Sequence, residues 1–320
     1  MIFQLGLLII GFVILIKSAD WMVDGASNLA KKYNISDLAI GLTVVAFGTS
    51  APELVVNSVA AFQNHPDIVF GNIIGSNNMN IYIVLGLAGI ISPLAVQSCT
   101  VWKEIPISLL AIIVLFLFTN EILYTNNQLL TRWEGFVLLI FFVLFLLYVY
   151  KQLKTDTSSA LETPVVKNMS LSKIWILIII GISGLVIGGK LVVDNAGLLA
   201  VSLGISEKII GLTVVAFGTS LPELATSVVA AIKKNNNIAV GNIIGSNIFN
   251  LFLILGVSAV IRPIKYSNAF NTDMLILTLG TFILFIAMFT GKRKKLDRWE
   301  AAIMLAVFIA YTIYLIAGEM

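Results

Sequence analysis

Long apolar runs alternate with short polar stretches along the whole chain. The runs are roughly 18–25 residues long, the length at which an α-helix crosses ~30 Å of hydrocarbon. Ten are legible, at approximately 2–23, 38–62, 68–91, 104–123, 132–150, 173–193, 208–232, 238–261, 271–290 and 298–317. The pattern predicts an all-α integral membrane protein with ten transmembrane helices. The strands of a β-barrel alternate apolar and polar positions in ~10-residue segments, which these continuous runs do not do. The first run has neither a basic segment before it nor a small-residue cleavage site after it, so it reads as a retained helix, not a signal peptide.

Composition sharpens this reading. Of the 320 residues 58% are hydrophobic and 12% charged, and the mean hydropathy is +0.99, too little polarity to solvate a globule of this size. Soluble enzymes, nucleic-acid binders and secreted disulfide scaffolds are thereby excluded. One cysteine, Cys99, permits no internal disulfide. The net charge of +3 says little, but its placement says more. With the N-terminus outside, fourteen Lys and Arg residues fall in inside loops, including Lys31, Lys32, Lys151 and Lys173, against five outside, Arg132, Lys190, Lys208, Arg262 and Lys265. The positive-inside rule then makes this a multi-pass protein of the cell membrane with both termini outside. The run Lys292-Arg293-Lys294-Lys295 reads as a cytoplasmic flank attracted to anionic membrane lipid.

The chain repeats itself. Gly41-Leu-Thr-Val-Val-Ala-Phe-Gly-Thr-Ser-Ala-Pro-Glu-Leu54 recurs as Gly211 to Leu224 with one difference, Ala51 against Leu221. Gly71-Asn-Ile-Ile-Gly-Ser-Asn77 recurs unchanged as Gly241 to Asn247, also 170 residues later. Asp24 and Asp194, Asn80 and Asn250, and Pro93 and Pro263 keep the same register, while Arg132-Trp-Glu134 returns as Arg298-Trp-Glu300 at a slightly shorter offset. Residues 1–150 and 173–320 therefore form two homologous halves of five helices, joined by a polar cytoplasmic linker, 151–172. Five is odd, so equivalent helices enter the membrane from opposite faces and the repeats are inverted. Inverted repeats are a recurring plan of secondary transporters, with a site between the halves near the bilayer midplane.

The repeated motifs carry the chemistry. Pro52 and Pro222 lie inside apolar runs, lack an amide hydrogen and should release the carbonyls of Gly48 and Gly218, giving broken helices at the midplane. Thr49, Ser50, Thr219 and Ser220 stand three or four positions before Glu53 and Glu223, close enough along a helix to share a face. An ionisable group at a helix centre costs ~2.5–3.5 kcal/mol even on a mild insertion scale. Neither motif run contains an interior Lys or Arg, so a cation from solution is the simplest partner. Carboxylates, hydroxyls, carbonyls and amide oxygens are hard ligands suited to Ca²⁺ and similar cations. Thr-Ser pairs alone are commonly helix-packing glue, but two copies joined to Pro and Glu point to a site. Ser76, Ser246, Asn80 and Asn250 also read as site contributors, whereas Asn72, Asn77, Asn242 and Asn247 fit interhelical hydrogen bonding equally well. The glycines of the second motif fit either close packing or the site, and the Arg-Trp-Glu triplets look like interfacial helix starts.

At these motifs the sequence resembles the calcium/cation antiporter superfamily, in particular its prokaryotic sodium/calcium exchanger-like members. The resemblance covers nearly the whole chain and implies one central Ca²⁺ site with flanking Na⁺ sites that share its ligands. It implies that Glu53 and Glu223 ligate Ca²⁺ with the Thr49 and Thr219 carbonyls. For Na⁺ it implies the Ala46 and Ala216 carbonyls and the side chains of Thr49, Thr219, Ser50, Ser220, Ser76 and Ser246, with Asn80 and Asn250 at the centre. It further implies that the first helix of each repeat slides against the rest. Family members often carry Asp at the position of Asn250, where this chain has Asn, a departure that bears on ion selectivity and proton coupling. The expected function is Ca²⁺/Na⁺ antiport by alternating access, with no cofactor and no enzymatic activity. Coupling to H⁺ or K⁺, and a passive cation channel, are the alternatives.

The charge asymmetry yields a direct test of orientation. A cysteine placed in the 151–172 linker of a Cys99-free protein should resist impermeant thiol reagents added to intact cells; labelling from outside would reject the assignment.

Overall fold

A computed structural model describes residues 2–120, 122, 128–155, 169–202, 216–291 and 293–319. Most of the linker, the start of the seventh predicted span with Lys208 and Gly211, and Lys292 lie outside the described residues. The helices are α1 (Ile2–Tyr33), α2 (Asp37–Thr49), α3 (Ala51–Phe62), α4 (Pro66–Ile91), α5 (Thr100–Thr119), α6 (Arg132–Thr155) and α7 (Leu171–Ser202). The chain continues with α8 (Ala216–Thr219), α9 (Leu221–Ile232), α10 (Asn236–Ile261), α11 (Asn268–Ala287) and α12 (Arg298–Glu319). Among the described residues seven helices are long and apolar enough to cross a membrane, or eight if α2 and α3 are one bent span. Ile9, Val13 and Ile16 on α1 and Val143 and Leu147 on α6 face outward, giving the apolar exterior of a membrane protein.

Two boundaries differ from expectation. Helix α1 continues to Tyr33 rather than ending near residue 23, because the charges that end its apolar run are paired. Lys233 Nζ lies 2.7 Å from Asp20 and 2.6 Å from Asp24, which removes the reason for the helix to stop there. The broken span also differs in detail. The break falls at Ser50, with a 49° bend between α2 and α3, and Pro52 sits in the first turn of α3, where a missing amide hydrogen costs nothing. Ser220 repeats this conformation, φ −89° and ψ 2° against −84° and 7° at Ser50.

Four stretches among the described residues are π-helical, Gly41–Val45, Asn80–Val84, Thr100–Glu104 and Phe249–Ile254. None was visible in the apolar pattern, since one extra residue in a turn leaves hydropathy unchanged.

Helices α4 and α10 form the centre, with 83% of the apolar window of each buried against 33% for α1 and for α7. The outer pair α1 and α7 meets through small residues. A side chain on Gly181 would strike the Met22 backbone, and one on Gly188 would strike Leu15 and Gly11. Two short ribbons tie the repeats together. Strand β1 (Leu94–Ala95) pairs antiparallel with β4 (Lys295–Leu296), and β2 (Leu129–Leu130) with β3 (Ile264–Lys265). The Arg-Trp-Glu triplets do open helices. Glu134 accepts from the Thr131 amide at 2.6 Å and Glu300 from the Asp297 amide at 2.8 Å, while Arg132 and Arg298 donate to carbonyls ending α10 and α4, at Ile261 and Ile90.

Of the second-motif glycines, Gly241 and Gly245 resolve toward packing where α10 crosses α2, whereas a Cβ on Gly75 would meet nothing within 4 Å. A Cβ on Gly241 would lie 2.9 Å from the Leu38 carbonyl oxygen, and one on Gly245 2.8 Å from the Ala46 Cβ. Gly245→Ala should therefore destabilise the purified protein by about 1–3 kcal/mol, read as a lower thermal midpoint in detergent.

Candidate functional site

The break at Ser50 and its copy at Ser220 each turn a Thr-Ser pair and a Glu toward the opposite half. The Thr49 hydroxyl donates to Asn242 Oδ1 at 3.0 Å, and the Thr219 hydroxyl donates to Asn72 Oδ1 at 3.0 Å. Thr49 also lies 3.5 Å from the Ser246 hydroxyl, and Thr219 3.5 Å from that of Ser76. The first motif of each half thus binds the second motif of the other, in two copies 170 residues apart.

Glu53 and Glu223 stand at the centre of this arrangement, each 1% exposed and near enough for their charges to interact. Ser50 donates to Glu223 Oε1 at 2.8 Å and Ser246 donates to the same oxygen at 3.3 Å. Glu223 Oε2 and both carboxylate oxygens of Glu53 have no hydrogen-bond partner among the described residues, and neither does the Ser220 hydroxyl.

The amides complete the set. Asn80 Nδ2 donates to Asn247 Oδ1 at 3.0 Å and Asn250 Nδ2 donates to Asn77 Oδ1 at 2.9 Å. With their nitrogens committed, Asn80 and Asn250 keep Oδ1 buried and unpartnered. Asn80 opens a π-helical turn and Asn250 is the second residue of another. π-Turns are frequent at functional sites. The chemistry of this cluster is an excess of buried acceptors: three carboxylate oxygens and two amide oxygens lack donors, the environment a hard cation satisfies.

Most of the residues singled out from sequence meet here. Thr49, Ser50, Ser246 and Glu223 share one cross-half set of hydrogen bonds, Thr219 and Ser76 a second through Asn72, and Asn80 and Asn250 a third through Asn77 and Asn247. The Glu53 carboxylate is buried without a hydrogen bond among the described residues, and Ser220 occupies the second break. Asn72, Asn77, Asn242 and Asn247 prove to be interhelical partners that aim the others. The Ala46 carbonyl already accepts from the Ser50 amide at 3.0 Å and the Thr49 hydroxyl at 3.3 Å; Ala216 is the first described residue of α8. Sequence reasoning missed Asn57 and Ser227. Asn57 donates to the Glu53 carbonyl at 2.9 Å, and Ser227 accepts from Asn242 at 2.9 Å. Both stand four residues after a motif Glu, the one signal that would have found them.

Residues 3–151 and 173–317 match the sodium/calcium exchanger protein family, close to the full length of the chain. This chain belongs to that family. It is 39% identical over 312 residues to CaxA of Alkalimonas amylolytica, an alignment covering 95% of each protein. It is 33% identical to the sodium/calcium exchanger MaX1 of Methanosarcina acetivorans, with 97% of each covered. Its fold superposes on the solved sodium-calcium exchanger NCX_Mj with a TM-score of 0.83 at 35% identity, covering 98% of both chains. Membership in the exchanger family makes the protein a multi-pass membrane transporter, not an enzyme.

In this exchanger-family protein the positioning amides are open to test. Asn77→Ala removes the acceptor that fixes Asn250 and should weaken equilibrium binding of ⁴⁵Ca²⁺ to the purified protein by about 10–100-fold, as loss of outer partners does at other metal sites. Asn77→Asp keeps an acceptor oxygen and should lose much less. Equal affinities in the two variants would remove Asn77 from that role.

Proposed function

We propose that this protein is a secondary active antiporter that exchanges Ca²⁺ for Na⁺ at one shared site reached alternately from the two faces of the cell membrane. The observation that carries the proposal is the pair of buried carboxylates, Glu53 and Glu223, surrounded by unpartnered oxygens and contributed by opposite repeats. In this reading both acids ligate Ca²⁺ together with the Thr49 and Thr219 carbonyls. Na⁺ uses the hydroxyls of Thr49, Thr219, Ser50, Ser220, Ser76 and Ser246 and the Ala46 and Ala216 carbonyls. Asn80 and Asn250 present their amide oxygens between the two ions' positions. Occupancy of shared carboxylates by one ion excludes the other, which is what converts binding into exchange.

The ribbons support ten crossings in two inverted halves. Strand β2 follows α5 and pairs with β3, which follows α10, so the two belong on one side of the membrane. That requires an even number of crossings between them. Helices α6, α7 and α10 supply three, leaving the segment that ends in α9 to supply the fourth. Between β1 and β4 the helices α5, α6, α7, α10 and α11 supply five crossings, so the same segment is needed there as a sixth to make the number even. In this topology equivalent helices run in opposite directions, residues 151–172 face the cytoplasm and both termini face outward. The small-residue contact between α1 and α7 supports the sliding of this pair against the central helices, since such a surface presents few interlocking side chains.

The test is uptake of ⁴⁵Ca²⁺ into proteoliposomes loaded with Na⁺, K⁺ or a proton gradient. Na⁺-driven uptake is expected; uptake driven by K⁺ or H⁺ alone would move the coupling to that ion. Glu53→Gln and Glu223→Gln keep side-chain shape and remove charge, and each should abolish exchange while the protein remains folded. Undiminished Na⁺-driven flux in both variants would reject the shared-carboxylate site.

A further inference from the structure

One π-helical turn lies apart from the candidate exchange site. Gly41–Val45 leads into the first break, and Asn80–Val84 and Phe249–Ile254 contain the two central amides in their first two positions. Thr100–Glu104 does none of these things; it opens α5 near the β1·β4 end of the molecule and closes on a buried acid. Its local cause is Pro106, which offers no amide hydrogen to the Trp102 carbonyl one turn earlier.

Glu104 is 0% exposed. The Tyr148 hydroxyl of α6 donates to its Oε1, and its Oε2 has no partner. Thr100 and Ser108, one turn to either side on α5, are also buried, and neither hydroxyl has a partner. Elsewhere in this protein helical hydroxyls turn back to the carbonyl four residues before them, as Thr43, Thr119, Ser258, Thr278 and Thr281 do at 2.6–2.9 Å. Ser220 and Thr226 depart from that habit in the second repeat, and so do Thr100 and Ser108, four residues to either side of Glu104. Lys103 makes no direct ion pair with the acid; its ammonium sits over the Tyr148 ring, 5.4 Å from the centroid, where its charge reaches Glu104 without meeting Oε2.

The other repeat carries a more exposed relative of the pair: Asp273 of α11, 169 residues after Glu104, accepts from the Tyr311 hydroxyl of α12 as Glu104 accepts from Tyr148. The partnerless hydroxyls are particular to the first repeat: at the 170-residue offset Thr100 and Ser108 answer to Phe270 and Thr278, and the Thr278 hydroxyl is satisfied by the Met274 carbonyl. A fully buried carboxylate needs a compensating charge.

We propose that Glu104, with the hydroxyls of Thr100, Ser108 and Tyr148, forms a second cation site that takes one monovalent alkali ion and lies apart from the exchange site. One carboxylate among neutral oxygens balances a single positive charge, whereas Ca²⁺ would leave the buried site with net charge. Hydroxyl and carboxylate oxygens suit Na⁺ and K⁺ alike, so the chemistry names the class and experiment separates the two ions.

The decisive measurement is the thermal midpoint of the purified Glu53→Gln/Glu223→Gln protein in NaCl, KCl or choline chloride at equal ionic strength. The acid pair is absent there, so failure of the exchange-site reading cannot mask or mimic the result. Na⁺ or K⁺ should raise the midpoint by about 2–4 °C over choline, and adding Glu104→Gln should erase the rise. Thr100→Val/Ser108→Ala, which keeps the carboxylate and removes two ligands, should shrink the rise and covers the case in which the Glu104 variant does not fold. Equal midpoints in all three salts, a rise that survives Glu104→Gln or is unchanged in the hydroxyl variant, or stabilisation by acid in place of alkali ions would each overturn the site.

Discussion

Two carboxylates held in an apolar interior with no Lys or Arg beside them constrain everything else in this protein. An isolated buried carboxylate is prohibitively costly, and in water-poor surroundings only a cation, a proton or strong donors can offset the cost. The structure supplies few donors. Ser50 and Ser246 reach one oxygen of Glu223, and the neighbouring amide nitrogens are turned away to bond across the molecule. What remains around the acids is oxygen. An interior of this kind favours a positive charge beside the acids, whether a cation or a proton.

The same constraint explains why the halves interlock. Each half brings an acid and a Thr-Ser pair but relies on the other half for the Asn and Ser that orient them. The β-ribbons and the two arginines that hold the ends of α4 and α10 repeat this exchange at the periphery. A site shared in this way changes shape whenever the halves move relative to each other, the property an alternating carrier needs.

Near-identical motifs nevertheless occupy different states. Ser50 is bonded to Glu223, while Ser220 and Glu53, their counterparts, have no such bond. Lys233 binds Asp20 and Asp24, but the repeat puts Gln63, Lys190 and Asp194 at the equivalent positions, where the same clamp cannot form. The two copies of the motif thus meet different surroundings despite near-identical sequence.

Hydropathy determined the membrane class and the number of apolar runs, and the recurring motifs determined the repeat, because each is a local or self-similar property of the string. The motif acids and hydroxyls were equally legible: a Glu inside an apolar run is conspicuous wherever it folds. Tertiary structure alone decided which oxygens stay free. Whether Asn80 uses its nitrogen or its oxygen depends on Asn247, 167 residues away, and whether Pro52 kinks a helix or starts one depends on where Ser50 turns. Glu104 was overlooked for the same reason. A Glu beside Lys103 at the edge of an apolar run reads as a solvated helix end, and only the packing of α5 and α6 takes it out of water.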